Sequence, residues 1–361
     1  MPMQRAWSQY SCQPARPERS SALRAPLERH RIARHDVDVP PIAGTAALPS
    51  ARVGTPKRVA LVHGAGKERR LVSILRRLAA AAGARVEWSE RAGAAGSDLT
   101  RALAESDAVI ALALPRFRRG ERALLPRFHS MVRAPSAFGS SAAPRSLRRS
   151  DLLLVGAVGA GAHAWERSVR LAADWAIAEG RRSLHCAVRG AGWPILASDR
   201  AARFRRIAGE HASLTTLRIG HHDTRRRLLF EPGEFEAIVA DAGDVDTLAT
   251  ASCSGVGWSN RVPTIYVGDA STLVVLGDAA GAARGAESGE TALAIALATR
   301  RLLRQLGELG AAERLGSLIA AELGARLESS GDLWLDLASE TTEGFGAALV
   351  ARLAERTPLA A

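Results

Sequence analysis

The chain has 361 residues, 47% of them hydrophobic and 24% charged. That balance excludes intrinsic disorder, collagen and coiled coil, and the length allows two domains with their own cores. The 49 basic against 37 acidic residues leave a formal net charge of +12, and every basic residue except Lys57 and Lys67 is arginine. Chemistry that needs a titratable amine therefore has two candidates, both near one end. Three distant cysteines, Cys12, Cys186 and Cys253, give neither a disulfide framework nor a zinc-ligand spacing. No apolar run reaches the roughly 18 residues of a membrane span, so no span is expected.

Residues 1–55 stand apart. Arginines at Arg5, Arg16, Arg19, Arg24, Arg29, Arg31 and Arg34 are separated by serine, alanine and proline, with only Glu18 and Glu28 as acids before Asp36. An Arg-rich, acid-poor stretch without an apolar h-region has the composition of an organellar transit peptide, which predicts a mitochondrial, matrix-side protein. A basic disordered tail is the alternative. No stacking aromatics are interleaved beyond Trp7 and Tyr10, so direct nucleic-acid binding is not expected.

From Lys57 the pattern is regular. Arg58 to Val62 reads as a buried strand, His63-Gly64-Ala65-Gly66 as a packing turn, and Glu68 to Ala82 as a helix with Leu71, Ile74, Leu75 and Leu78 on one face. A strand at Arg85 to Trp88, a helix at Leu99 to Glu105 and a strand at Asp107 to Leu112 continue the alternation of a parallel α/β sheet. Asp151 to Val155 is a further buried strand, followed by a glycine-rich stretch, Gly156 to Gly161, read as a flexible or close-packed turn. Next come a helix at Glu166 to Ala178, a strand at Ser183 to Val188, a helix at Asp199 to Glu210 and strands at Leu214 to Ile219 and Phe235 to Ala240. Helices at Thr291 to Leu306, Ala311 to Leu327 and Thr341 to Leu353 end the chain.

The order of these segments resembles the isocitrate and isopropylmalate dehydrogenase family, the metal-dependent β-decarboxylating dehydrogenases, over most of residues 57–353. Arg58-Val-Ala-Leu-Val-His-Gly-Ala-Gly66 resembles the family's opening strand and P-G-D-G-I-G turn, and Asp151 to Val155 the strand before R-E-N-T. Glu166-Arg167-Ser-Val-Arg-Leu-Ala172 resembles E-R-I-A-x-x-A, and Glu231-Pro-Gly-Glu-Phe-Glu-Ala-Ile-Val239 resembles D-P-x-x-F-D-V-I-V. The layout from Arg133 through Phe138-Gly139 to Asp151 is most similar to the mitochondrial NAD-dependent isocitrate dehydrogenase subunits. The resemblance implies an α/β fold of two domains with parallel and mixed sheets flanked by helices. It places a large domain in residues 56–118 and 253–361 and a small domain in 119–252.

The same resemblance implies loss of the family's chemistry. Its acid/base lysine falls at Arg189, whose guanidinium stays protonated near neutral pH. Its tyrosine falls at His163, and R-E-N-T at Gly156-Ala-Val-Gly159. Of the metal-binding carboxylates, one remains as Asp246, one falls at Thr250 and one at His222, beside Asp223. The adenosine loop is reduced to Leu276, Gly277 and Gly281, with Gly289-Glu290 at the later N-P pair. Arg133 is retained from the substrate arginines as a residual anion site. One carboxylate is too few for a hard divalent cation, so neither Mg/Mn nor NAD is expected.

About twenty residues of the family's dimer-clasping arm are missing between His163 and Glu166, so the clasped dimer is not expected either. His221-His222-Asp223 reads as a solvated strand edge, and Cys186 and Cys253 as packing residues. Arg225-Arg226-Arg227, like Arg116, Arg118 and Arg119, is read as a solvated charge run. The expectation is a catalytically inactive isocitrate dehydrogenase-like protein acting as a structural or regulatory subunit of a mitochondrial assembly. Its partners would be protein subunits, either a catalytic isocitrate dehydrogenase subunit in the tricarboxylic acid cycle or a respiratory complex or mitochondrial ribosome. An active NAD-dependent dehydrogenase is the remaining, weakest reading.

Overall fold

The computed structural model describes residues 56–63, 68–92, 96–112, 124–138, 149–159, 161–189, 194–254, 262–276, 288–330, 336–337 and 339–356. The basic segment 1–55, the turn Gly64 to Gly66, the arginines Arg116, Arg118 and Arg119, and Gly277 and Gly281 lie outside them.

Twelve strands and nine main helices are described. The strands are β1 (Lys57–His63), β2 (Val86–Ala92), β3 (Ala108–Leu112), β4 (Ser130–Arg133), β5 (Ser136–Phe138), β6 (Arg149–Asp151), β7 (Leu153–Ala157), β8 (Ser183–Val188), β9 (Thr215–Gly220), β10 (Ala237–Asp241), β11 (Thr264–Val267) and β12 (Thr272–Leu276). The helices are α1 (Glu68–Ala81), α2 (Gly96–Glu105), α3 (Ala162–Ala178), α4 (Pro194–Ala208), α5 (His221–Phe230), α6 (Ala242–Ser254), α7 (Gly289–Gln305), α8 (Leu309–Ser330) and α9 (Thr342–Arg356).

Ten strands form one sheet in the order β2-β1-β3-β12-β11-β4-β7-β10-β8-β9, and β5 and β6 form a separate antiparallel pair. Each flank is parallel. The centre is antiparallel, because β11 pairs antiparallel with both β12 and β4, and β4 antiparallel with β7. The two parallel flanks consequently run in opposite directions. The C-terminal ends of β1 and β12 lie at one edge of the sheet, and those of β7, β8, β9 and β10 at the other. Strands from 56–118 and 253–361 make up one flank and those from 119–252 the other, meeting at the β11–β4 pairing within one continuous sheet.

The alternation of side chains along each strand sends apolar residues to both faces, as a doubly covered sheet requires. Val59 and Leu61 of β1, with Val155 and Val239, pack beneath α1, α3, α4, α7, α8 and α9. Ala60 and Val62, with Leu154 and Ile238, pack beneath α2, α5 and α6. Trp165 and Trp175 of α3 are fully buried. Trp165 Nε1 donates to the Arg200 carbonyl at 3.1 Å, and the Arg200 guanidinium stacks 5.1 Å above the same ring.

The arginine bias serves this architecture. Buried Glu179, at the end of α3, is held by Arg181 at 2.8 Å and by Arg301 of α7. Complete burial pushes Arg301 down to about 10, so it remains a cation near neutral pH. Arg326 of α8 bonds Glu322, Asp336 and Glu340 at once, and a planar fork of five donors suits that role better than an ammonium.

The glycine-rich stretch, read as a turn, begins inside β7, where Gly156 is close-packed. A Cβ on Gly156 would lie 2.7 Å from Val245 Cγ2 and 2.8 Å from Ala242 Cα, so α6 sits directly on the strand. Any side chain there, including the arginine that the family resemblance would place, collides with α6. Gly159 follows at φ +91, a left-handed conformation that favours glycine.

Candidate functional site

Strand β10 ends in Asp241, and the first turns of α6 carry Asp244 and Asp246. Acidic side chains at a helix N-terminus complement its partial positive charge. Each of the three is also engaged by an arginine from a different element.

Asp244 is buried, with its side chain 1% exposed. Arg189, just past the end of β8, forks onto it: Nε donates to Oδ1 at 2.8 Å and to Oδ2 at 3.0 Å, and Nη2 also donates to Oδ1. The hydrogen bond to Asp244 holds the Arg189 guanidinium above its ordinary range. His221 Nδ1 lies 3.6 Å from the other side of the same carboxylate. Burial pushes His221 below the usual imidazole value, and Arg189 adds to the effect.

Asp246 is exposed and pairs at 2.8 Å with Nη1 of Arg133, whose Nη2 donates to the Val262 carbonyl at 3.0 Å. Arg133, at the end of β4, is itself buried, so the retained anion-site candidate already holds an internal carboxylate. Asp241 is bonded by Arg200 of α4. Burial still pushes the Asp241 carboxyl above its usual range.

The positions singled out by sequence thus separate into groups. Arg133 and Asp246 meet on one side of α6. Arg189 meets Asp244 and His221, and His222 next to it is exposed. Thr250 lies one turn beyond Asp246 in α6, where its Oγ1 donates to the Asp246 carbonyl at 2.9 Å. Leu276 is buried at the end of β12, at the opposite edge of the sheet from Arg189. Gly289 opens α7, donating its N–H to the Glu340 carbonyl at 2.8 Å. Cys186 and Cys253 are buried free thiols, pushed up to about 12 and about 11 by burial. Among the described residues, no three His, Cys, Asp or Glu side chains converge as metal ligands.

One expectation is corrected. His221-His222-Asp223 is the first turn of α5 rather than a strand edge. The chain leaves β9 at Gly220 and turns helical immediately, which carries His221 inward to Asp244 and leaves His222 and Asp223 in solvent. Asp244, Asp241 and Arg200 were not legible as site residues, and His221 read only as part of a solvated edge. The signal available was the acid spacing Asp241, Asp244, Asp246 around a strand-to-helix junction.

His163 lies elsewhere on the same sheet edge. It is exposed in the first turn of α3 and lines an open cleft of about 540 Å³ with Arg127, His129, Arg167 and Asp269.

No family profile matches the sequence. The NADP isocitrate dehydrogenase of Thermus thermophilus is 24% identical over 182 residues, 49% of this chain and 36% of that protein. The chain thus spans only 36% of that relative's length. Two crystal structures superpose with a TM-score of 0.67. The TT0538 protein of Thermus thermophilus is 20% identical, with 84% of this chain and 69% of that one covered. The isocitrate dehydrogenase of Methylococcus capsulatus is 16% identical, with 82% and 99% covered. The fold is that of isocitrate dehydrogenase.

Proposed function

We propose that the chain is a non-catalytic isocitrate dehydrogenase-like protein that serves as a structural or regulatory subunit of a larger assembly. The observation that carries this reading is the pairing of Asp241, Asp244 and Asp246 with Arg200, Arg189 and Arg133. A divalent cation such as Mg or Mn needs several free oxygen ligands. Here each carboxylate is paired with its own guanidinium, and the Arg133–Asp246 pair stands apart from the Asp241 and Asp244 pairs, so no set of free oxygens converges on one point. The donor set does not fit the metal, and no reaction step is derived through one.

The proton-transfer side of the site supports the same reading. Arg189 stands where the family resemblance places an acid/base lysine, and its bond to buried Asp244 makes it a poorer proton donor still. Gly156 removes the substrate arginine at its position, and the packing of α6 leaves no room to restore it. Among the described helices none is long and apolar enough to cross a membrane. We assign the basic leader to mitochondrial import and the partners to protein subunits of a larger complex.

The test is the native mass of the protein recovered from its own cells, with identification of what travels with it. The reading predicts a stoichiometric protein partner. Recovery as a free monomer would remove the subunit assignment, whether or not the chain is inactive.

A further inference from the structure

The cleft beside α3 is separate from the α6 carboxylates. Along β4, Met131 faces the layer that contains α6, while Ser130 and Val132 face the layer that contains α3. The cleft opens at the Ser130 end of the strand, between α3, the β11–β12 turn and the short helix Leu125–Arg127. Its fixed charges are the cations Arg127 and Arg167 against the single carboxylate Asp269, and two imidazoles, His129 and His163, line it as well. Its floor is apolar, formed by Leu125, Phe128 and Val158.

Two features make this more than a charged surface. The first is that, among the described residues, its arginines are not locked into buried ion pairs. Arg127 makes no ion pair with a described residue. Arg167 bonds Asp269, whose side chain is 72% exposed, and an ion pair in that much water contributes about 1 kcal/mol or less, so a bound anion can exchange for it.

The second is that His129 is held in one orientation. Ser168 Oγ lies 2.9 Å from the Ala164 carbonyl and 3.1 Å from the His129 carbonyl, both pure acceptors, so its one proton goes to a carbonyl. Ser130 then donates to Ser168 at 2.8 Å and accepts from His129 Nδ1 at 2.7 Å. With Nδ1 carrying the proton, Nε2 of the neutral ring presents a lone pair on the Asp269 side, 4.0 Å from that carboxylate.

We propose that this cleft binds a small organic carboxylate, its oxygens on Arg167 and Arg127 and its apolar body against Phe128 and Val158. The volume lies in the range of small-molecule pockets, and the apolar floor favours an organic acid over a bare inorganic anion. The groups facing His129 are Arg167 and His163 from α3, Arg127 from the short helix and Asp269 from the β11–β12 turn. Burial first, then Arg167, holds His129 below the ordinary imidazole value, so near neutral pH its lone pair opposes an anion. A bound carboxylate reverses that balance, and binding strengthens on acidification as His129 becomes a donor.

Binding in this cleft is independent of the non-catalytic reading. Its test is calorimetric titration of the full chain with benzoate and hexanoate, with benzamide and inorganic phosphate as controls. The expected result is millimolar or tighter binding of a carboxylate, weakened tenfold or more in the doubly substituted Arg127→Gln/Arg167→Gln protein, with the melting temperature checked for both. Affinity should rise as the pH is lowered, and His129→Asn should diminish that rise. Failure of both carboxylates to bind overturns the proposal. So does equal binding of benzamide, which would make the cleft merely apolar, or of phosphate, which would make the floor irrelevant.

Discussion

Replacing Arg189 with glutamine removes the forked cation from Asp244 while leaving the carboxylate in place. Arg189 is itself largely exposed, so its loss costs little in packing, but Asp244 has a side chain only 1% exposed. A buried carboxylate stripped of its partner destabilises a protein by about 3–5 kcal/mol when nothing else compensates. His221 Nδ1 at 3.6 Å can take up a proton and recover part of this, which brings the expectation to about 2–4 kcal/mol. Removing the charge as well, in Asp244→Asn with Arg189→Gln, should restore at least half of the loss, because the two residues form one unit. Urea denaturation followed by circular dichroism measures both. The partial rescue by His221 also predicts that Arg189→Gln costs less below about pH 6 than above about pH 7. The reasoning is refuted if Arg189→Gln stays within about 0.5 kcal/mol of the parent, or if the double variant is less stable than the single one.

Further outcomes follow from the same geometry. Gly156→Ala should cost about 1–3 kcal/mol by driving a methyl group into Val245 and the backbone of Ala242, measured by the same denaturation, and an unchanged midpoint would contradict the packing of α6 on β7. His129, His185 and His221 are all held below the ordinary imidazole value, chiefly by burial. Above about pH 6.5 they are neutral folded or unfolded; below it the unfolded chain binds more protons, so stability should fall as the pH drops from about 7 towards 5.5. Rising or flat stability across that window would show the sign to be wrong. Cys186 and Cys253, pushed up to about 12 and about 11, should resist a thiol reagent at mildly alkaline pH until the protein is unfolded, with mass spectrometry reporting labelling at each site.

Much of the frame is legible in the sequence because burial imposes a period on it. β1 and β7 are built on the apolar runs Val59 to Val62 and Leu152 to Val155, and α1, α7 and α9 carry apolar residues at helical spacing, so each can be placed to within a few residues. The elements that build the site lack such a period. α6 begins Ala242-Gly-Asp-Val-Asp and is rich in small residues, and α5 buries only His221, Thr224 and Leu228, with three consecutive arginines in between. β4 is four residues long, too short to alternate visibly, although it carries Arg133 into the centre of the sheet. The β11–β12 hairpin did leave a sign, two apolar runs around Gly268-Asp269-Ala-Ser271, and its turn supplies Asp269 to the cleft. What single positions could not convey is pairing. Asp246 reads as a lone surviving carboxylate, and only the tertiary structure shows each acid facing its own arginine.

If charge pairing has replaced a metal-dependent active site, the purified protein should no longer oxidise isocitrate. The direct test is reduced nucleotide formation with isocitrate and Mn²⁺, using NAD and NADP in turn and following absorbance of the reduced cofactor. No formation above the protein-free blank is expected with either nucleotide. Manganese-dependent formation of NADH or NADPH would contradict the replacement.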